Sequence, residues 1–213
     1  MKYGKSLLIG VTALLITAFS CGAHWYKKKE ERRVDSIAKT ENTLLVRSYS
    51  PTFGPSGAQV TIVEFMDPGC EACADAYPSV KELIKEFDGK VRLVVRYMLF
   101  HETSVYAVRA LEAAKEQNKY WEALETVFVR QPTWSRHEDP HPELIPSYME
   151  GLGLDMGKLK VSIESSAHTG KMQQDNDDGV ALGVNQTPTF FINGRMLDDV
   201  NYDTLRSAIR NEL

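Results

Sequence analysis

Val60–Pro78, VTIVEFMDPGCEACADAYP, decides how the rest of the chain is read. Val60, Ile62, Val63 and Phe65 are β-branched or aromatic, as a buried strand requires, and Asp67-Pro68-Gly69 ends that strand with turn-forming residues. A helix is expected next, from about Glu71 to Phe87, burying Tyr77, Val80, Leu83, Ile84 and Phe87 at spacings of three and four, kinked at Pro78 and closed by Asp88-Gly89. Cys70 then falls at the first helical turn, where unpaired N–H groups and the positive end of the helix dipole favour a thiolate. Cys73 follows one turn later, close enough to form a short disulfide. The pair reads as a redox centre in which Cys70 attacks and Cys73 resolves. C-x-x-C also serves as half of a zinc site, but that takes four ligands. The remaining cysteine, Cys21, lies in a leader-like segment, and the nearest histidine, His101, stands alone.

Outward from this centre, Leu44–Tyr49 reads as a strand before the turn-rich Ser50–Gly57, and Val91–Leu99 as the strand after the helix, a β-α-β unit. A long helical stretch follows. Val105, Val108, Leu111 and Ala114 form one apolar stripe and Tyr120, Trp121, Leu124, Val127 and Phe128 another; Asp155 can cap a third helix running through Ser165, and His168–Leu182 forms a fourth, closed by Gly183. Between them Gln131–Pro142, QPTWSRHEDPHP, reads as a loop, whose His137 and His141 with Glu138 or Asp139 are either solvated or a metal site. Thr189–Ile192 and Arg195–Leu197 form a hairpin across Asn193-Gly194, and Asp203–Asn211 is the last helix.

Three segments, SPTFGPSGAQVTIVEFMDPGCEAC (Ser50–Cys73), YWEALETVF (Tyr120–Phe128) and GVNQTPTFFINGR (Gly183–Arg195), closely resemble the DsbA-like branch of thioredoxin-fold thiol:disulfide oxidoreductases, from about Ser50 to the C-terminus. The resemblance implies an α/β, thioredoxin-like fold with a mixed central sheet and an inserted helical subdomain at about residues 102–183, and no cofactor. It places Thr187 and a cis Pro188 opposite the dithiol, holding the substrate chain; the plainer alternative is a trans proline opening an edge strand. Glu64 matches the family's buried proton acceptor near the resolving cysteine, where burial raises a carboxyl pKa; a solvent-facing glutamate is the alternative. His101, just past a strand, could lie over the dithiol and lower the pKa of Cys70. Strongly oxidising members often carry His between the cysteines, whereas here stand Glu71 and Ala72. A carboxylate beside Cys70 repels the thiolate, so a milder oxidant is expected.

The chain has 213 residues, 43% hydrophobic and 25% charged, with net charge −4: room for one sizeable domain, and no basic field for a nucleic-acid partner. Residues 1–23 hold Lys2, Lys5 and the apolar run Leu7–Phe19 and read as a signal peptide, a lipoprotein signal ending at Cys21, or a membrane anchor. Residues 24–43 form a charged spacer, in which Val34 and Ile37 could support an oligomerising stalk, and 44–213 the DsbA-like domain. Lys27, Lys28, Lys29, Arg32 and Arg33 argue against export, since such clusters tend to stay cytoplasmic. The family's compartment and the dithiol chemistry favour the periplasm. The expected partners are exported proteins with cysteine thiols and a membrane redox partner, and the expected activity is dithiol oxidation; isomerisation, reduction, or metal binding by the same cysteines are the alternatives.

Overall fold

The computed structural model describes Gly22, residues 24–30, Arg32 and residues 42–213. The leader with Cys21, and the stalk positions Val34 and Ile37, lie outside the described residues. Five strands, β1 (Thr52–Phe53), β2 (Val60–Met66), β3 (Val91–Tyr97), β4 (Thr189–Ile192) and β5 (Arg195–Met196), form one sheet in the order β1-β3-β2-β4-β5. β2 and β3 run parallel, from Val60 beside Val91 to Met66 beside Tyr97, and the remaining pairs are antiparallel. The sheet is therefore mixed, as expected. Both faces of β2 and β3 are covered, which is why these strands are apolar almost throughout rather than alternating.

Strand alternation still sorts the side chains. Ile62, Met66, Leu93, Val95 and Tyr97 face α2 (Glu71–Glu86) and the helical layer, whereas Val63, Phe65, Val94 and Phe191 face Leu45, Leu182 and Val184. Glu64 shares the parity of Ile62 and Met66, and so lies on the face that holds Cys73. The layer above that face is built by α3 (Ser104–Lys115), α4 (Tyr120–Trp134), α5 (Ile145–Tyr148) and α6 (Met156–Glu164), all inserted between β3 and β4. Asp155 caps α6, its Oδ1 accepting the Lys158 N–H at 3.0 Å. The last inserted helix, α7 (Thr169–Ala181), reaches the opposite face: Gly179 packs so close to Phe65 and Met98 that a β-carbon there would collide with the Met98 sulfur. Asn193 and Gly194 both have positive φ (46° and 86°), the conformation of the tight turn expected between β4 and β5. α8 (Tyr202–Asn211) ends the chain against α2.

Three expectations are corrected. Leu44–Tyr49 is not a strand: α1 (Asn42–Leu45) leads into a turn, and the edge of the sheet is β1. Its polar side chains explain the difference. The Arg47 guanidinium donates to Asp178 at 2.7 and 2.8 Å and the Tyr49 hydroxyl to Asp175 at 2.8 Å, anchoring the segment to α7. Arg96, fully buried on β3, pairs with the same two aspartates, so the segment closes a balanced network of two cations and two anions. Second, Gln131–Trp134 belongs to α4, not to a loop; Trp134 is fully buried and donates its indole N–H to the Val127 carbonyl at 2.8 Å, which carries the helix across Pro132. Third, Val105 faces outward; α3 buries Ala107, Val108, Ala110, Leu111, Ala113 and Ala114 instead.

Candidate active site around Cys70 and Cys73

Cys70 is the N-cap of α2, with extended backbone (φ −81°, ψ 121°) after a turn in which its N–H donates to the Asp67 carbonyl at 3.0 Å. Its sulfur lies 3.3 Å from the Thr187 carbonyl oxygen, the acceptor for the protonated thiol. The Thr187-Pro188 bond is cis. The proline loop and the dithiol, 117 residues apart in sequence, thus meet as the resemblance implied.

The two sulfurs are electrostatically unlike. Cys70 is held down to a pKa of about 5, first by the hydrogen bond from the Cys73 thiol, then by the Thr187 side chain and the backbone N–H groups of Cys73 and Ala72, against burial, which pushes the other way. These are the donors that a helix N-terminus offers to an anion. Cys73 is fully buried and pushed far up, by desolvation first, then by the hydrogen bond to Cys70 and the nearby Glu64 charge. Glu64 is itself 3% exposed and raised to about 8, by burial and then by the charge of Cys70. At neutral pH one thiolate, one thiol and one protonated carboxyl therefore share the site. Beside them a cleft of ≈ 530 Å³ opens between α2 (Ala72, Asp75, Ser79), the Gln186-Thr187-Pro188 loop and the Asp198–Tyr202 segment. Glu71 and Ala72 are exposed on the first turn of α2.

His101 packs on Gly69, the residue before Cys70, where an added β-carbon would come within 2.9 Å of its Cβ. Its Nδ1 bonds Asp67 Oδ2 at 2.9 Å, and its ring lies 6.0 Å from that of His137. His141 pairs with Glu143 at 2.8 Å and Asp139 at 3.2 Å, and among the described residues no group of three or more His, Cys, Asp or Glu side chains could hold a metal.

Two residues carry more of the site than the sequence reading assigned them. Asp67, read only as a turn former, is fully buried and accepts from the N–H groups of Gly69 (2.8 Å), Phe100 (2.7 Å) and His101 (3.1 Å) and from the Ser104 hydroxyl. It locks the turn before Cys70 to the loop after β3. Gln131, read as the start of a loop, donates from Nε2 to the carbonyls of Pro68 (2.8 Å) and Cys70 (2.9 Å), and Ser135 donates to Gly69 O at 3.2 Å. A buried amide ending an apolar stripe that the sequence does show, Leu124–Phe128, was the available signal.

Comparison with known proteins agrees with this geometry. The family model described as Thioredoxin matches residues 47–211. Disulfide bond formation protein D of Bacillus subtilis is 26% identical over 178 residues, covering 76% of this chain and 77% of that protein. The solved structure of a thioredoxin-like oxidoreductase from Silicibacter pomeroyi is 27% identical, with a TM-score of 0.69 over 80% of this chain and 96% of that one. A protein of Herminiimonas arsenicoxydans named Na(+)/H(+) antiporter NhaA is 38% identical over 198 residues, which are 91% of this chain and 31% of that protein. The chain thus spans about a third of that relative, whose name describes the longer protein. Among the described residues no helix is long and apolar enough to cross a membrane. Since the family model covers nearly the whole folded part, the chain belongs to the thioredoxin family.

Proposed function

We propose that this protein exchanges disulfides with cysteine-containing protein substrates, running in the direction of dithiol oxidation, with Cys70 as the attacked sulfur, Cys73 as the resolving thiol, Glu64 as proton acceptor and Thr187-Pro188 as the edge that holds the substrate chain. The observation that carries this is the asymmetry of the pair: Cys70, at the helix N-terminus and 3.3 Å from the Thr187 carbonyl, has a pKa of about 5, and Cys73 is sealed and raised. A substrate thiolate attacks Cys70 Sγ of the oxidised enzyme; the bond to Cys73 breaks, and Cys73 keeps the electron pair and takes a proton. Glu64, with a pKa of about 8, is suited to supply that proton and to act as acceptor, taking it back from Cys73, when the enzyme's disulfide is re-formed. The substrate's second thiolate then attacks the mixed disulfide at the substrate sulfur and releases Cys70 as a stable thiolate. The substrate leaves oxidised and the enzyme reduced by two electrons, which a membrane redox partner would accept. Glu71 and His101 are proposed to tune the pair, and Ala72 to leave the first turn open to the substrate.

The same reading puts the protein in the periplasm, acting on exported proteins and attached or delivered through its N-terminal segment. Trapping tests it. Cys73→Ser, incubated with a peptide disulfide, is expected to accumulate a mixed disulfide at Cys70, while Cys70→Ser accumulates none. An adduct on Cys73 instead would overturn the assignment of roles, and net reduction of substrates under a glutathione buffer would favour a reductase or isomerase.

A further inference from the structure

Three consecutive carbonyls of the turn, Pro68, Gly69 and Cys70, are captured by the end of one helix, α4 and its C-cap Ser135. Gln131 contributes the greater part. It is 3% exposed, and its amide donates 2.8 Å to Pro68 O and 2.9 Å to Cys70 O across more than sixty residues of sequence. Burying a primary amide is costly unless its hydrogens are used, and here they are used on the backbone of the nucleophile rather than on the insertion's own helices.

The second of these bonds bears on the sulfur. The Cys70 carbonyl also accepts from the N–H groups of Cys73 (3.1 Å) and Ala74 (3.3 Å). The Cys73 N–H is therefore claimed twice, by the Cys70 carbonyl and by the Cys70 sulfur. A donor from Gln131 meets part of that carbonyl's demand and leaves the Cys73 N–H freer to turn toward the thiolate. It also polarises the Cys70–Glu71 peptide, strengthening the Glu71 N–H at the same helix terminus. We propose that Gln131 is a positioning residue for Cys70, through which the helical insertion sets the stability of the nucleophilic thiolate. The inference rests on the assignment of Cys70 as the nucleophile made above, and gives the insertion a part in the chemistry.

The test is Gln131→Met, which keeps length and volume and removes both donors, read by thiolate absorbance of the reduced protein across pH with no substrate present. One neutral hydrogen bond to the turn is worth roughly 0.5–1.5 kcal/mol in full; with about half of it transmitted to the sulfur, the Cys70 thiolate becomes about 1.5- to 3.5-fold less stable, a pKa rise of about 0.2 to 0.5 unit. The equilibrium constant with glutathione should fall by the same factor, at most about 16 mV. Gln131→Asn, one methylene shorter, reaches at most one of the two carbonyls and is expected to fall between. Leu159→Ala, which loosens the same insertion at a fully buried side chain of α6, controls for stability alone; it should lower the melting temperature without moving the Cys70 titration. An unmoved Cys70 titration in both Gln131 variants, or an equal shift in Leu159→Ala, makes Gln131 a strut and overturns the proposal. Because the titration uses no substrate, failure of the exchange assay would overturn the proposed function and leave this inference standing.

Discussion

The reduction potential of the Cys70/Cys73 pair, measured against glutathione as a function of pH, is expected to follow a line whose slope breaks near the Cys70 pKa of about 5. Below the break, reduction takes up two protons with two electrons and the potential falls by about 59 mV per pH unit; above it Cys70 stays a thiolate, and the slope halves to about 30 mV. Cys73, pushed far up by burial, keeps its proton throughout and adds no break. The sign follows from linkage. A depressed thiol pKa stabilises the reduced form only where the pH exceeds that pKa, so the contribution is absent below about 5, grows with pH, and is complete above the ordinary thiol value of about 8.5. Glu64 adds a smaller departure. Its pKa of about 8 includes repulsion from the Cys70 thiolate, which the disulfide lacks, so reduction takes up extra proton just below that pH; Glu64→Gln should remove this feature and leave the break near 5.

The magnitude at pH 7 can be worked from the same value. A pair whose nucleophile has a pKa of about 7 sits near −270 mV in thioredoxin, and lowering that pKa to about 5 is worth two factors of ten, about 59 mV, giving roughly −210 mV. A gain half as large would give about −240 mV, which sets the lower margin. For a nucleophile of about 3.5, as in DsbA, the same arithmetic gives roughly −165 mV against about −120 mV, an undershoot of about 45 mV that sets the upper margin. The window for this protein is therefore roughly −240 to −170 mV, between reductase and strong oxidant, as the carboxylate at Glu71 in place of a histidine led us to expect. A potential below about −260 mV or above about −150 mV, or a slope with no change near pH 5, would refute the assignment of Cys70 as the stabilised thiolate.

Glu71→His removes an exposed negative charge and adds a partial positive one at the first turn, worth about 0.5–1 kcal/mol, and should raise the potential by roughly 10–20 mV at low salt, less as ionic strength rises. Glu64→Gln should stabilise the oxidised protein, with the sign opposite to that of a paired carboxylate. Burial raises the folded pKa to about 8, so the unfolded chain ionises first and the native state is penalised from about pH 4.5 upward. The gain should be near zero at acid pH and reach at most about 3 kcal/mol at pH 7, read by denaturant unfolding; a constant gain across pH would mean that Glu64 is ionised in the fold. Asp67→Asn turns an acceptor-only hub into one that presents N–H groups to other donors, and should cost about 2–3 kcal/mol while broadening the amide resonances of Gly69, Phe100 and His101. Retained stability would show that the turn is held by Gln131 and Ser135 alone.

The parts legible in the sequence were those written in short-range patterns. β2, the turn and α2 follow one another within Val60–Glu86, and the N-cap place of Cys70 is a local property of that order. Asp155 announced its helix and Asn193-Gly194 its hairpin for the same reason. Leu44–Tyr49 failed because its alternation was outweighed by ion pairs formed 131 residues away, Arg47 with Asp178, which no local pattern records. Pro132 misled in the other direction: a helix breaker by propensity, it is overruled by the burial of Trp134 two residues on.

The site shows the same division more sharply. The reacting sulfurs lie in a four-residue window, but what sets their chemistry comes from three distant places: Thr187 at 3.3 Å from the Cys70 sulfur, Gln131 on the turn carbonyls, and the loop at Phe100–Ser104 gathered on Asp67. C-x-x-C on a strand-turn-helix specifies that a thiolate will be favoured, because every helix N-terminus favours an anion. How strongly it is favoured depends on how many N–H groups are left for the sulfur after the turn's own carbonyls have been satisfied. In this protein those carbonyls are satisfied from outside the turn, by a helical insertion that the bare β-α-β motif lacks. An insertion of this kind can therefore change the redox poise of the dithiol without altering either cysteine or the residues between them.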